Sequence, residues 1–121
     1  MASSIIAIVD DLFFASKIRG TAEQLGVVVE FARNTDSLIE AARRDQPRLI
    51  ICDLHSQKIE PIELAKRLKE DEKLRSIPLL GFFSHVRTEL QQQAEAAGFD
   101  RVLPRSAFTK NLALILQGSI D

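Results

Sequence analysis

The stretch LIICDLHSQ, residues 49–57, decides the fold. It begins with four apolar residues, and a single acid, Asp53, follows them directly. A short apolar run with no alternation of polar residues is typical of a strand buried on both faces of a parallel sheet. The sequence therefore predicts a central strand that delivers a carboxylate at its end.

Similar short apolar segments recur along the chain, and helical patterns separate them. The predicted strands are 5–9, 27–31, 49–52, 79–83 and 101–103. The predicted helices are 12–25, a second from Asn34, Thr35 or Asp36 to about 44, a third from 60 to about 69, a fourth from about Val86 to 97, and a fifth at 106–117. This alternation predicts one α/β domain, residues 1–121, with helices on both faces of a five-stranded parallel sheet. The flavodoxin-like, doubly wound strand order 2-1-3-4-5 fits five such units.

Composition limits the classes of function. The chain has 16 basic and 17 acidic residues, whereas a dedicated nucleic-acid surface usually needs a basic excess, so no direct nucleic-acid partner is expected. The single cysteine, Cys52, excludes an intrachain disulfide and favours a reducing compartment. No signal peptide and no membrane-length apolar run are present in the sequence, so we expect a cytoplasmic protein.

Three acids follow two of the predicted strands. Asp10 and Asp11 follow the first strand, and Asp53 follows the third. In the predicted order these strands are neighbours at the topological switch point, where ligand sites of such sheets lie. We therefore expect the three carboxylates to share one cleft. Hard oxygen ligands suit Mg²⁺, and a carboxylate beside the metal can attack a phosphoryl group to give an acyl phosphate.

The same acids have a simpler interpretation. An acid at a strand end often caps the next helix or stays solvated, and Asp11 alone would fit such a cap. The convergence of all three acids on the two strands of the switch point favours a shared site.

Three motifs resemble the receiver domain of two-component response regulators, the CheY-like fold. They are IIAIVDD (5–11), PRLIICDL (47–54) and AAGFDRVLPRSAF (96–108), and the resemblance covers essentially the whole chain. It implies that Asp53 accepts a phosphoryl group from a partner histidine kinase or phosphotransfer protein. It also implies that Asp10, Asp11, Asp53 and the backbone carbonyl of His55 hold Mg²⁺.

The resemblance further implies a signalling domain rather than an enzyme, with slow self-dephosphorylation at most. An effector protein or output domain would receive the signal. By analogy with the family, the face formed by the fourth helix, the fifth strand and the fifth helix would mediate either a homodimer or effector contacts, and Ala94, Ala97, Phe99 and Val102 would contribute to it.

The positions that detect phosphorylation in the family differ in this chain. The family's lysine falls at Arg105, which can pair with a phosphate but is not equivalent to lysine. The family's switch hydroxyl falls at Phe83, with Ser84 one residue late, and its aromatic switch residue falls at Val102. Ser84 and Arg105 are therefore the candidates for contacts with a phosphoryl group.

Two main hypotheses follow. In the first, the chain is a working receiver in which phosphorylation of Asp53 biases a face around the fourth and fifth units. In the second, it is a receiver-like interaction module in which phosphorylation is coupled weakly or not at all. The first is favoured because an unused cleft of three acids would be costly to retain. An aspartate-nucleophile phosphohydrolase is disfavoured, since its general acid would be expected at position 55, which is a histidine.

Overall fold

The sheet has five parallel strands. The structure, a computed structural model, describes residues 4–84 and 88–118. The strands are β1 (Ser4–Ile8), β2 (Val28–Phe31), β3 (Leu49–Asp53), β4 (Leu79–Phe83) and β5 (Arg101–Pro104). Their order is β2-β1-β3-β4-β5, and each neighbouring pair is parallel. The predicted fold class and strand order are therefore confirmed.

Helices connect the strands at close to the predicted positions. They are α1 (Leu12–Leu25), α2 (Thr35–Asp45), α3 (Pro61–Glu70), α4 (Thr88–Ala97), α5 (Arg105–Lys110) and α6 (Leu112–Leu116). The predicted start of the fourth helix near Val86 lies outside the described residues. In the described part of the chain, no helix is long and apolar enough to cross a membrane.

The prediction of one continuous helix over 106–117 is wrong, because the helix is divided at Asn111. This residue has φ −106° and ψ 15°, and its side-chain amide donates a hydrogen bond to the carbonyl oxygen of Ala107 at 2.9 Å. Short polar side chains compete with the backbone in this way. Helical bonding resumes where the N–H of Ile115 donates to the carbonyl oxygen of Asn111 at 2.9 Å. The predicted apolar face is retained, since both parts bury apolar side chains.

Two apolar layers cover the sheet. Helices α1, α5 and α6 pack on one face, and α2, α3 and α4 pack on the other. Every residue of β3 and β4 is buried as a result. This burial explains why the sequences of the two strands are almost entirely apolar. The edge strand β2 instead alternates exposed and half-buried residues.

The start of α2 and the end of α1 have capping residues that the sequence shows. Asn34 is the N-cap of α2: its side-chain oxygen accepts from the N–H of Ser37 at 2.8 Å, and the Ser37 hydroxyl accepts from the N–H of Asn34 at 3.1 Å. This reciprocal pair is a capping box. Gly26 ends α1 with φ 70°, a left-handed conformation that glycine adopts at little cost.

Three residues expected on a dimer surface are core residues instead. Ala94, Phe99 and Val102 are buried in the layer formed by α2, α3 and α4, and Ala97 is half-buried against the same layer. Their apolar character is therefore explained by packing within the chain. A homodimer through α4, β5 and α5 stays a prediction, but these three residues do not form its surface.

Gly98, at the turn from α4 to β5, is expected to be sensitive to substitution. It has φ 127°, and an added Cβ would lie 2.6 Å from Cγ of Lys69. We expect Gly98→Ala to lower the free energy of unfolding by about 1–3 kcal/mol, because alanine is strained in this conformation. Chemical denaturation measures the change.

Gly20→Ala is the matched control. Gly20 lies within α1, where an added Cβ would meet nothing within 4 Å. Alanine is the better helix former, so this variant is expected to gain about 0.5–1 kcal/mol. If Gly98→Ala were as stable as the Gly20→Ala variant, the strain assigned to position 98 would be wrong.

Candidate functional site

A cleft forms where β1 and β3 end side by side. Ile8 lies opposite Cys52 in the parallel pairing of these strands, so the acids that follow leave the sheet at neighbouring points. The charge of the Asp10 carboxylate acts on the carboxyl of Asp53. The pairing of β1 with β3 therefore places Asp10 and Asp53 at the same edge of the sheet.

Asp53 is almost completely enclosed. It is the last residue of β3, and 9% of its surface is exposed. Its Oδ1 accepts a hydrogen bond from the N–H of His55 at 2.9 Å. Burial raises the pKa of Asp53 above its ordinary value, the His55 N–H opposes this, and the negative charge of Asp10 adds to it. A cation in the cleft would therefore favour the ionised, nucleophilic form of Asp53.

The loop after β3 holds Asp10. The Ser56 hydroxyl donates to Oδ1 of Asp10 at 2.6 Å, and the Gln57 N–H donates to Oδ2 at 2.8 Å. The Lys58 ammonium lies 3.4 Å from the carbonyl oxygen of Val9. The sequence interpretation missed these three loop residues, and no local pattern indicates contacts that join positions 46 to 49 residues apart.

Asp11 is the N-cap of α1, as the simpler interpretation proposed. Its Oδ1 accepts from the N–H of Phe13 at 2.9 Å and from the N–H of Phe14 at 3.1 Å. Its Oδ2 accepts from the guanidinium of Arg105 at 3.0 Å. The hydrogen bond from Arg105, followed by that from the Phe14 amide, lowers the pKa of Asp11 below its ordinary value. Asp11 is therefore a carboxylate anion whose two oxygens already accept hydrogen bonds from the chain.

Arg105 links the start of α5 to the start of α1. Besides its bond to Asp11, its guanidinium carbon lies 4.0 Å from the centre of the Phe14 ring, a cation–π contact. The Phe14 ring packs against Phe82 of β4 and Phe108 of α5, with ring centres 5.2 Å and 5.7 Å away. Arg105, which stands at the family's lysine position, therefore contacts an acid of the cleft, Asp11, and also packs on Phe14.

The other predicted contact residue, Ser84, directly follows β4 and is exposed. Asp53 of β3 lies opposite Phe82 of β4. Ser84 lies two residues after Phe82 in the chain, and its side chain is exposed. Phe83 is buried in the layer of α2, α3 and α4 and offers no hydroxyl. Val102 is also part of that layer.

Asp10 and Asp53 are the acids of the cleft whose donor chemistry suits Mg²⁺. Among the residues described, no three His, Cys, Asp or Glu side chains are grouped so that they could hold a metal ion. Asp11 faces α1 and Arg105, which leaves Asp10 and Asp53 as the interacting pair. The donor chemistry of this pair fits, because Mg²⁺ is commonly held by one or two carboxylates and keeps several waters. A cation between the two acids would also relieve their repulsion.

Comparison with known proteins identifies the class of fold. No protein-family profile matches the chain. The chain is 29% identical over 80 residues to the polar-differentiation response regulator DivK of Brucella anthropi, and this match covers 66% of the chain and 65% of DivK. Its structure is similar to that of the chemotaxis response regulator CheY4 of Vibrio cholerae, with a TM-score of 0.82, 20% identity, and coverage of 97% of this chain and 98% of CheY4.

A further solved structure with a similar fold contains a metal ion. The receiver domain of the sensor histidine kinase PA1611 from Pseudomonas aeruginosa, solved with a magnesium ion coordinated in its active site cleft, has a TM-score of 0.82 and 17% identity. The match covers 97% of this chain and 96% of that domain. The fold of this chain is therefore that of CheY-like receiver domains, and the resemblance predicted from its sequence is confirmed.

The burial of Asp53 leads to a prediction about stability. Without divalent cations at pH 7, Asp53→Asn should raise the free energy of unfolding by about 1 kcal/mol, the usual scale of single substitutions, because it removes a buried charge beside Asp10. The folded-state pKa of Asp53 is raised, so its cost to folding is present above that pKa and disappears as the pH falls below the unfolded value. The gain should therefore shrink on acidification, as measured by denaturation in EDTA across pH.

Asp71→Asn is a control of opposite sign. The Arg43 guanidinium, 2.8 Å from Asp71, lowers the pKa of this carboxyl, so the substitution should reduce stability at pH 7. A loss of stability in Asp53→Asn at pH 7 would contradict the assigned electrostatics of the cleft.

Proposed function

We propose that this chain is a receiver domain of two-component signal transduction in which Asp53 accepts a phosphoryl group. The observation that carries the proposal is the placement of Asp53, which is 9% exposed, at the end of a fully buried strand. Its partner acid, Asp10, lies at the end of the neighbouring strand. Similarity to DivK and to CheY4 supports the same class of function.

The transfer reaction uses the Asp53 carboxylate as the nucleophile. One of its oxygens attacks the phosphorus of a phosphohistidine on a partner histidine kinase or phosphotransfer protein. The P–N bond breaks, its electron pair stays on the imidazole, and the imidazole takes up a proton from solvent. Asp53 must be ionised for this attack, and burial makes the ionised carboxylate more basic than an exposed one.

Asp10, Asp53 and the backbone carbonyl of His55 would hold Mg²⁺, and Asp11 would join them only if one of its oxygens gave up a hydrogen bond from the chain. When bound, the metal supplies positive charge that neutralises the oxygens of the phosphoryl group. The chain's own residues provide the rest. β1 and β3 position the two acids, and the loop through Ser56 and Gln57 fixes the orientation of Asp10.

Arg105 and Ser84 are proposed to contact the phosphoryl group on Asp53. Arg105 offers a planar fork of donors that suits phosphate, and Ser84 offers an exposed hydroxyl directly after β4. An effector protein or output domain would then read the change around α4, β5 and α5 in the cytoplasm. The chain acts as a signalling domain, and slow loss of the phosphoryl group is the only turnover proposed.

A second function, a receiver-like interaction module, is favoured by two specific observations. The chain's own donors already bind both oxygens of Asp10 and both oxygens of Asp11. In addition, the family's switch hydroxyl position is taken by the buried Phe83. In this alternative the fold binds partners while phosphorylation of Asp53 changes little.

Phosphorylation of the isolated chain tests the proposal. With Mg²⁺ and a small acyl phosphate, intact-mass spectrometry should show one added phosphoryl group that is lost at alkaline pH and on treatment with hydroxylamine. EDTA should prevent the addition, because the oxygens of the donor would no longer be neutralised.

Asp53→Asn should give no adduct, whereas Asp36→Asn, which alters an exposed acid in α2, should behave as the wild type. An unmodified wild-type protein, or an adduct that persists in Asp53→Asn, would overturn the proposed function. An adduct on Asp53 with no change in the amide resonances of α4, β5 and α5 would establish the interaction-module alternative.

A further inference from the structure

We propose that the ammonium group of Lys58 is a phosphoryl-binding cation of the cleft, supplied by the loop that follows β3. This inference rests on the proposed function for the phosphoryl group on Asp53, and it gives that group a contact that the resemblance to receiver domains does not imply. The observation that carries it is the position of the Lys58 ammonium, 3.4 Å from the carbonyl oxygen of Val9.

The pairing of β1 with β3 brings Val9 beside Asp53. Ile8 lies opposite Cys52 in these parallel strands, and Val9 and Asp53 are the residues that come next. Neighbouring strands lie about 4.8 Å apart. The Lys58 ammonium is therefore bound to the backbone beside the proposed phosphoacceptor, and a change of rotamer in its long, flexible stem brings it to a phosphoryl group there.

The loop that carries Lys58 is fixed at the cleft by hydrogen bonds. The Lys58 N–H donates to the Ser56 hydroxyl at 3.0 Å, and that hydroxyl donates to Asp10 at 2.6 Å. The Gln57 N–H donates to the other oxygen of Asp10 at 2.8 Å. Ser56 and Ile59 are buried, so the backbone of Lys58 is held between two anchored residues while Lys58 itself is exposed.

The positive charge of Lys58 is not neutralised by an acid. No carboxylate among the residues that the structure describes forms an ion pair with Lys58. Arg105, in contrast, pairs with Asp11 at 3.0 Å. A phosphoryl group adds up to about two negative charges beside Asp10. Lys58 can pair with this group without breaking an existing ion pair, at the cost of one long hydrogen bond to Val9.

Lys58 would act through its charge and its N–H donors, and no proton or covalent bond of Lys58 changes. Its donors point at oxygens whose negative charge must be held while the phosphoryl group moves from the phosphohistidine to Asp53. Donors that are already in place for such charge lower the barrier to transfer. The loop after β3 therefore has two functions, since it fixes Asp10 and supplies a cation.

Phosphorylation rates of lysine variants test the inference. Phosphoramidate, whose P–N bond resembles that of a phosphohistidine, is added with Mg²⁺ to the wild type and to Lys58→Gln, Lys58→Arg and Lys66→Gln. Intact-mass spectrometry follows the phosphoryl adduct. Lys58→Gln should gain the adduct about three- to ten-fold more slowly, because it loses a charged hydrogen bond that solvent partly screens. Lys58→Arg keeps the positive charge and should recover most of the rate.

Lys66→Gln is the matched control because it removes an exposed lysine in the middle of α3. Its rate should equal that of the wild type. If Lys58→Gln reacts as fast as Lys66→Gln, the inference is wrong and the proposed function stands. If the wild type gains no adduct, both are wrong. Far-UV circular dichroism establishes that the variants are folded.

A measurement on the wild type tests the contact even if Lys58→Gln does not fold. The reactivity of the lysine amines toward a succinimidyl ester is compared before and after phosphorylation, and peptide mass spectrometry locates each label. Pairing with the phosphoryl group should lower the labelling of Lys58 several-fold, whereas the labelling of Lys66 should not change. Equal labelling of Lys58 in both forms would overturn the inference.

Discussion

The burial of a carboxylate at the end of β3, beside a second carboxylate at the end of β1, is the constraint on which the rest of the site depends. Layers of helices cover both faces of β3, so Asp53 is removed from water just where Asp10 adds a like charge. Burial and this charge raise the pKa of Asp53. Hydrogen-bond donors partly offset this repulsion, because the His55 N–H donates to Asp53 while Ser56 and Gln57 donate to Asp10.

The three acids of the cleft have different environments. Asp53 is buried and accepts a hydrogen bond from the N–H of His55, whereas Asp10 is bound by the loop after β3. Asp11 caps α1 and binds Arg105. Among the residues that the structure describes, Arg105 is a cation in direct contact with an acid of the cleft, Asp11.

Much of the fold and part of the site could be predicted from the sequence. The uninterrupted apolar letters of β3 and β4 indicate burial on both faces, and strand alternation with helices then brings Asp10 near Asp53. Three features could not be predicted, for physical reasons. Ser56 reaches Asp10 through a contact between residues far apart in the chain, which no local periodicity encodes. Asn111 divides the last helix because its amide competes for a backbone carbonyl. Phe99 has the sequence appearance of an interface residue but packs in the core, since an apolar residue after a helix fits either location.

The carboxylate that β3 is proposed to deliver for phosphorylation is that of Asp53. Borohydride reduction of the protein after incubation with Mg²⁺ and an acyl phosphate converts a phosphorylated aspartate to homoserine, and peptide mass spectrometry locates it. Homoserine is expected at position 53 and at no other acid. Homoserine at Asp10 or Asp11, or intact aspartate at position 53 in a protein that carries the phosphoryl group, would contradict it.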